Sequence, residues 1–123
     1  MQKYFLQFVN ALTLTVTTES AVLILFFLLR KHFRQFELKL PRVLIAGIVA
    51  SCITLPAVWF IFPAVLHNRT CFLIVAELFA FTAEIPVIKC IVKSTFSEAT
   101  VASLLANSTS FAAGFLLRIS WTI

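Results

Sequence analysis

Three glutamates lie inside long apolar stretches of this sequence, at Glu19, Glu77 and Glu84. A charged side chain at the centre of a bilayer costs about 2.5–3.5 kcal/mol on insertion scales, so each position asks for a chemical or structural reason. Low dielectric disfavours the charged form of a carboxyl, which suits reversible binding of a proton, a cation or a basic solute. The competing interpretation is a neutral, hydrogen-bonded carboxyl that fixes helix packing, and the sequence leaves both interpretations open.

The spacing of these groups favours a common location. Glu77 and Glu84 are seven residues apart, which is nearly two helical turns, so their carboxyls share one face about 10.5 Å apart along the axis. Asn107 is a further polar residue deep in an apolar stretch. Because lipid offers no hydrogen bonds, we expect an inward-facing arrangement that satisfies every such group. We therefore predict an ion- or solute-binding set of Glu19, Glu77, Glu84 and Asn107.

Small and polar residues recur at helical spacing on two other segments. Small residues let membrane helices approach closely, and Ser, Thr or Asn can bond across the contact. The predicted packing faces consist of Gly47, Ser51 and Thr54 on one segment, and of Ser103, Ser110 and Gly114, beside Asn107, on the other.

The sequence offers no recognisable catalytic or metal-binding pattern. It contains no Asp and no GxSxG, HExxH or Gly-rich phosphate loop. Its two histidines, His32 and His67, are expected on opposite sides of a membrane. The cysteines show no metal spacing, and we expect each to behave as a small buried apolar residue; they are Cys52, Cys71 and Cys90. We expect no enzymatic activity, no metal and no cofactor.

The elements that position these groups are predicted to be membrane-spanning helices. The chain is 61% hydrophobic and 12% charged, whereas soluble domains are about 45–50% apolar and about 25% charged. A membrane helix needs about 20 mainly apolar residues. Runs that meet this need cover about 8–29, 43–66, 71–92 and 96–117. We predict one all-α domain, residues 1–123, with four transmembrane helices.

Local signals mark where these helices begin. Pro41 fits a first helical turn, where its missing N–H is not needed. The four residues 67–70 are expected to form a tight polar turn. Thr95 and Glu98 have the spacing of a capping box, in which each side chain bonds the other residue's backbone N–H.

The basic residues predict the orientation of the helices. Seven of the ten Lys and Arg residues would lie on the side of a basic loop at 30–42, and three on the other. Because cytoplasmic loops are enriched in these residues, we predict both termini on the outer side, with the basic side facing cytoplasmic lipid headgroups. This placement argues against nucleic acid as a partner, despite the net charge of +5. The seven residues are Arg30, Lys31, Arg34, Lys39, Arg42, Lys89 and Lys93.

The polar pattern as a whole resembles a loose set of small, uncharacterised bacterial four-span membrane proteins. Their pattern has one glutamate in span one, Pro-x-x-Trp in span two, two glutamates in span three and Ala-Asn-x-x-Ser-x-x-x-Gly in span four. Here it reads Glu19, Pro56 with Trp59, Glu77 with Glu84, and Ala106-Asn107 with Ser110 and Gly114. The resemblance implies a multi-pass protein of a bacterial inner membrane and carries no function.

A second family shares fewer features. In length, in its four spans and in Glu19, the chain is similar to the small multidrug-resistance transporters. It departs from them in its additional glutamates in span three and in lacking their glycine and tyrosine pattern.

Two functions follow from these features. The first is a transporter or channel subunit whose buried glutamates bind protons, a cation or a basic solute. The alternative is a non-catalytic structural or accessory subunit of a larger membrane complex, whose polar stripes pack against partner helices. The expected partners are the lipid bilayer and either further copies of the chain or other membrane subunits.

Overall fold

The computed structural model describes the backbone of residues 2–34 and 39–122 and the side chains of residues 2–31 and 39–117. Residues 35–38 of the predicted basic loop and the side chain of Arg34 lie outside the described part. Within that part the chain forms helices and no strands. The elements are α1 (Gln2–Arg34), α2 (Leu40–Pro56), a π-helical turn (Ala57–Ile61), α3 (Phe62–Val65), α4 (Arg69–Val92) and α5 (Phe96–Thr122).

Four helical stretches of the described chain are long and apolar enough to cross a membrane: Gln2–Lys31, Leu40–Val65, Arg69–Val92 and Phe96–Leu117. Large apolar side chains point away from the bundle, and Val65 is 70% exposed. Such a surface is stable in lipid and costly in water. The prediction of an all-α, multi-pass membrane protein is confirmed to this extent. Helix α1 begins at Gln2, earlier than the predicted start near residue 8.

The helices form a ring in which each packs against two others. Helices α1 and α4 lie on one diagonal, and each contacts both α2 and α5. Neighbours run antiparallel: Tyr4 lies beside Trp59, whereas Glu19, further along α1, lies beside Ser51, earlier in α2. This up-down arrangement turns one face of every helix towards a common interior.

Side-chain caps begin the third and fourth spans. The Asn68 side chain accepts hydrogen bonds from the N–H groups of Thr70, at 3.0 Å, and Cys71, at 3.2 Å, so the predicted turn at 67–70 already passes into α4. The Glu98 N–H donates to Thr95 Oγ1 at 3.2 Å, and the Thr95 N–H donates to Glu98 Oε1 at 3.1 Å. The capping box is confirmed. These bonds satisfy N–H groups that a helix start would otherwise leave without partners.

The second span changes from α- to π-helical hydrogen bonding at Ala57, directly after Pro56. Pro63 lies in the short α3 that follows. Because proline has no N–H, Pro63 cannot donate to the carbonyl of Trp59, four residues earlier. The Tyr4 hydroxyl of α1 donates to that carbonyl at 2.7 Å. The tyrosine thus supplies the hydrogen bond that the proline cannot donate.

The half of the bundle next to the basic loop is filled by packed apolar side chains. They lie after Glu19 in α1, before Ser51 in α2, after Glu84 in α4 and before Asn107 in α5. The packed set is Leu23, Phe27, Val43, Ala46, Ile85, Ile88, Val92, Ala99, Ala102 and Ala106. This core closes one end of the interior directly below the polar residues.

The two glycines of the chain have opposite surroundings. A Cβ added at Gly47 would lie 2.5 Å from Ser20 Oγ and 3.1 Å from Ser20 Cα, so α1 and α2 approach closely there. A Cβ added at Gly114 would meet no atom within 4 Å. Only Gly47 therefore permits a close helix contact inside the chain.

We expect Gly47→Ala to destabilise the bundle by about 1–3 kcal/mol, because the added methyl forces α1 and α2 apart. Gly114→Ala is the matched control, since both changes raise helix propensity equally. Thermal unfolding of the purified protein in mild detergent measures the difference. An unfolding temperature of Gly47→Ala equal to that of Gly114→Ala would contradict the close approach.

Candidate functional site

Two carboxyls lie at the centre of the bundle, on the diagonal pair of helices. Glu19 of α1 is 2% exposed and Glu84 of α4 is 1% exposed. The helices between them, α2 and α5, turn small polar side chains towards both. The interior is therefore organised as two acceptor helices alternating with two donor helices.

Glu19 accepts one hydrogen bond on each carboxyl oxygen. Ser51 Oγ of α2 donates to Oε2 at 2.8 Å, and Ser110 Oγ of α5 donates to Oε1 at 3.0 Å. Both bonds cross to neighbouring helices, so Glu19 ties α1 to its two neighbours. Hydrogen bonds of this kind replace the water that a carboxyl loses on burial.

Glu84 is held in the same manner. Thr54 Oγ1 of α2 donates to Oε1 at 3.0 Å, and Asn107 Nδ2 of α5 donates to Oε2 at 2.7 Å. The Asn107 amide nitrogen also donates to the Ser103 carbonyl at 2.9 Å. Since a carbonyl can only accept, the nitrogen of Asn107 must point to this side, which fixes the orientation of the amide.

The two sets of bonds are related by the pairing of helices. Helices α1 and α2 form one hairpin, and α4 and α5 form another. Within its own hairpin, Glu19 accepts a bond from Ser51, and Glu84 accepts a bond from Asn107. Glu19 accepts its second bond from Ser110, three residues after Asn107 in α5. Glu84 accepts its second bond from Thr54, three residues after Ser51 in α2. The sequence shows no internal repeat, so this two-fold pattern emerges only when the helices are assembled.

A cavity of about 110 Å³ lies beside Glu19. All four long helices contribute to it, together with the π-helical turn. Its volume is below the roughly 300–1,000 Å³ of drug-sized sites and well above the 10–15 Å³ that one water needs. It therefore has room for several waters or a small ion. Its lining consists of Thr15, Glu19, Thr54, Leu55, Val58, Ala76, Glu77, Ala80, Asn107, Ser110 and Phe111.

The cavity and the apolar core lie on opposite sides of the carboxyl pair. Thr15 precedes Glu19 in α1, and Ala76 and Glu77 precede Glu84 in α4. These positions lie towards the end of the bundle that holds Gln2 and Asn68. Glu19 thus lies at the floor of the cavity, and Glu84, which does not line it, is bonded to Thr54 and Asn107, which do.

Glu77 differs from the other two glutamates. It is half-buried and lines the cavity, and in the described part of the chain it has no hydrogen-bond partner. The expectation that inward packing satisfies every polar group is therefore wrong for Glu77. Its carboxyl oxygens remain available to a ligand in the cavity.

The residues predicted to pack the helices make different contacts in the structure. Ser51 and Thr54 bond to the glutamates, and Ser103 Oγ donates to the Phe81 carbonyl of α4 at 2.8 Å. Ser110 likewise bonds a glutamate, Glu19, and both Ser110 and Thr54 line the cavity. A Cβ added at Gly114 would meet no described atom within 4 Å, so the described part of the chain does not require a glycine there.

One interaction at the basic end was not apparent from the sequence. Arg30 Nε donates to Glu98 Oε2 at 3.3 Å, and the Glu98 side chain is 4% exposed. The ion pair joins α1 to the start of α5 and supplements the capping box. The capping motif predicts Glu98 at a helix start, but it carries no information about α1. Among the other basic residues, Lys31, Lys39, Lys89 and Lys93 are exposed and Arg42 is half-buried.

The cysteines and the metal-binding groups add no second site. All three cysteines are exposed, so the expectation that they are buried is wrong. Within residues 2–31 and 39–117, no three His, Cys, Asp or Glu side chains lie together in a way that could hold a metal ion. No family model, curated protein or solved structure matches this chain.

We expect Glu84→Leu to destabilise the protein by about 1–3 kcal/mol, because the bonds that Thr54 and Asn107 donate to the Glu84 carboxyl across the helix contacts are lost. Glu84→Gln should retain stability, because an amide oxygen can accept from Asn107 while its nitrogen donates to Thr54. Glu77→Leu is the matched control on the same helix. Thermal unfolding that ranks Glu84→Leu equal to Glu77→Leu would show that these bonds contribute little.

Proposed function

We propose that this protein is a small membrane transporter or channel subunit that binds protons or a small cation at Glu19 and Glu84. The observation that carries the proposal is a cavity lined by the buried carboxyl of Glu19 and by Thr54 and Asn107, the two donors to the buried carboxyl of Glu84. Neither carboxyl has a cationic partner among the described residues. A carboxyl needed only for packing does not require an adjoining cavity. An ion that crosses the membrane does require one.

The charge of the cavity supports a cationic ligand. Glu19 and Glu77 line the cavity, and Glu84 is bonded to two further lining residues, Thr54 and Asn107. The only ion pair among the described residues, Arg30 with Glu98, lies at the basic end. Apolar walls focus the field of such charges and raise the local concentration of cations. Glu77, half-buried and without a hydrogen-bond partner among the described residues, is suited to receive an incoming cation.

The size of the cavity supports a small ligand. About 110 Å³ accommodates a proton carried by water, or a small cation that keeps part of its hydration. It is too small for a drug-sized solute. The proposal therefore differs in substrate class from what the likeness to small multidrug-resistance transporters implies.

We further propose that both termini lie outside a bacterial inner membrane and that the basic end faces the cytoplasm. The Lys and Arg distribution supports this orientation. The cavity would then face outwards and the apolar core inwards. A chain of this size would work with further copies or partner subunits, and the open surroundings of Gly114 on α5 offer a close-approach face for such contact.

The alternative function is a non-catalytic accessory subunit of a larger membrane complex. It is favoured by the complete hydrogen bonding of Glu19 and Glu84, which a packing role would also produce. In that case the carboxyls hold the four helices together and exchange nothing. The two functions predict different effects of replacing Glu19 and Glu84 with glutamine.

The orientation is tested by labelling single cysteines, after replacement of the three native ones, with a reagent that does not cross membranes. Asn68→Cys should react in intact cells, and Gln35→Cys only after permeabilisation, because the first is expected outside and the second in the cytoplasm. The opposite accessibility would reverse the orientation and turn the cavity towards the cytoplasm.

Transport is tested with Glu19→Gln and Glu84→Gln in proteoliposomes. Glutamine keeps the shape and hydrogen bonds of a neutral carboxyl but cannot bind and release an ion. Both variants should fold normally and lose proton or cation flux. Thr82→Val is a suitable control, because Thr82 is exposed and bonds only its own helix, at Leu78. Full flux in both Gln variants would favour the accessory function.

A further inference from the structure

Two hydroxyls beside the carboxyls each have one proton but two acceptors within reach. Thr54 Oγ1 lies 3.0 Å from the Ala50 carbonyl and 3.0 Å from Glu84 Oε1. Ser110 Oγ lies 3.2 Å from the Asn107 carbonyl and 3.0 Å from Glu19 Oε1. A hydroxyl donates one hydrogen bond and can accept others. Each of these hydroxyls can therefore donate to its own backbone while it accepts from the carboxyl.

The other two donors, Asn107 and Ser51, cannot switch between donating to the carboxyl and accepting from it in this way. Asn107 Nδ2 can only donate, and its bonds to Glu84 Oε2 and to the Ser103 carbonyl use both of its hydrogens. Ser51 has Glu19 Oε2 as its one bonded partner in the described part of the chain. Each carboxyl thus has one oxygen, Oε2, held as an acceptor. The other oxygen, Oε1, faces a hydroxyl that can either donate or accept.

We propose that Glu19 Oε1 and Glu84 Oε1 are proton-binding atoms, and that Ser110 and Thr54 relay protons to them from the cavity. This inference rests on the transport function proposed above and narrows its ligand to the proton. On binding, the hydroxyl O–H bond breaks as its proton passes to Oε1, and the carboxylate loses its charge. The hydroxyl oxygen takes a replacement proton from a hydronium ion in the cavity, which becomes water, and the new hydroxyl hydrogen turns to the backbone carbonyl. No heavy atom has to move, and release is the reverse of these steps.

The location of the hydroxyls supports delivery from the cavity. Thr54 and Ser110 both line it, whereas Ser51 does not. Water in the cavity can therefore exchange a proton with each switching hydroxyl. The titratable groups facing the pair are Glu77 and the two carboxyls themselves, all on α1 and α4. Helices α2 and α5 contribute neutral donors, so a proton is the ion that neutralises each carboxylate without disturbing the bonds around it.

Infrared difference spectroscopy of the wild-type protein in lipid vesicles tests the binding atoms. Lowering the pH should produce carboxylic acid bands that Glu19→Gln and Glu84→Gln remove one at a time. Raising the pH should abolish them. The amide band should stay unchanged through the titration, because only hydrogens move. Absence of an acid band for both residues at every pH at which the protein stays folded would overturn the proposal.

The relay is tested by the rate at which these acid protons exchange in D₂O. Thr54→Val should slow exchange at Glu84 by about tenfold, equivalent to about 1.4 kcal/mol, and leave Glu19 unchanged. Ser110→Ala should do the reverse, and Thr54→Ser should restore the rate. Thr82→Val and Thr109→Val are controls, since these exposed hydroxyls bond only their own helices, at Leu78 and Leu105. Equal exchange in Thr54→Val and Thr82→Val would overturn the relay.

The outcomes separate this inference from the proposed function. Acid bands with hydroxyl-dependent exchange, in a protein that shows no flux, would support the proton site and overturn transport. Cation flux by a protein whose carboxyls stay ionised throughout would support transport and overturn the proton assignment.

Discussion

A carboxyl inside hydrocarbon must find hydrogen-bond donors on neighbouring helices, because lipid supplies none. This constraint organises the whole bundle. The four oxygens of Glu19 and Glu84 use donors from both α2 and α5, and the donors on each helix are three residues apart. That spacing holds them on one helix face. Any rotation of α2 or α5 would leave a carboxyl without a partner, so the bonds fix the rotational position of the helices.

One half of the bundle is a packed apolar core, and the other half contains the cavity. Below the carboxyls, Leu23, Phe27 and Ile88 belong to a packed apolar core, and the Arg30–Glu98 pair joins α1 to α5 at that end. Above them lies the cavity, with the contact between Tyr4 and the π-helical turn at the same end. The cavity and the packed core therefore lie on opposite sides of the two carboxyls. An ion that crossed the bundle would have to pass the packed core, which is the step that a carrier would control.

The sequence alone was sufficient to predict the helices and part of the candidate site. Apolar runs of membrane length predicted the four spans, and Thr95 with Glu98 predicted a helix start, because both signals are local. Burial of Glu19, Glu84 and Asn107 also followed, since polar groups avoid lipid. The pairing of donors with acceptors was not predictable, because it depends on how four helices are rotated against one another. Glu77 shares a helical face with Glu84 but lies two turns nearer the cavity end, where spacing alone could not reveal that it lacks a partner.

The proposed function requires Glu19 and Glu84 to exchange an ion through the cavity that Glu19 lines. The most direct test is the electrical current recorded from proteoliposomes adsorbed on a sensor when the external pH is stepped. The wild-type protein should give a charge-displacement current, and the Glu19→Gln/Glu84→Gln double variant, equally folded, should give none. A wild-type current no larger than that of empty liposomes, in both membrane orientations and with either protons or small cations as the stepped ion, would contradict the account.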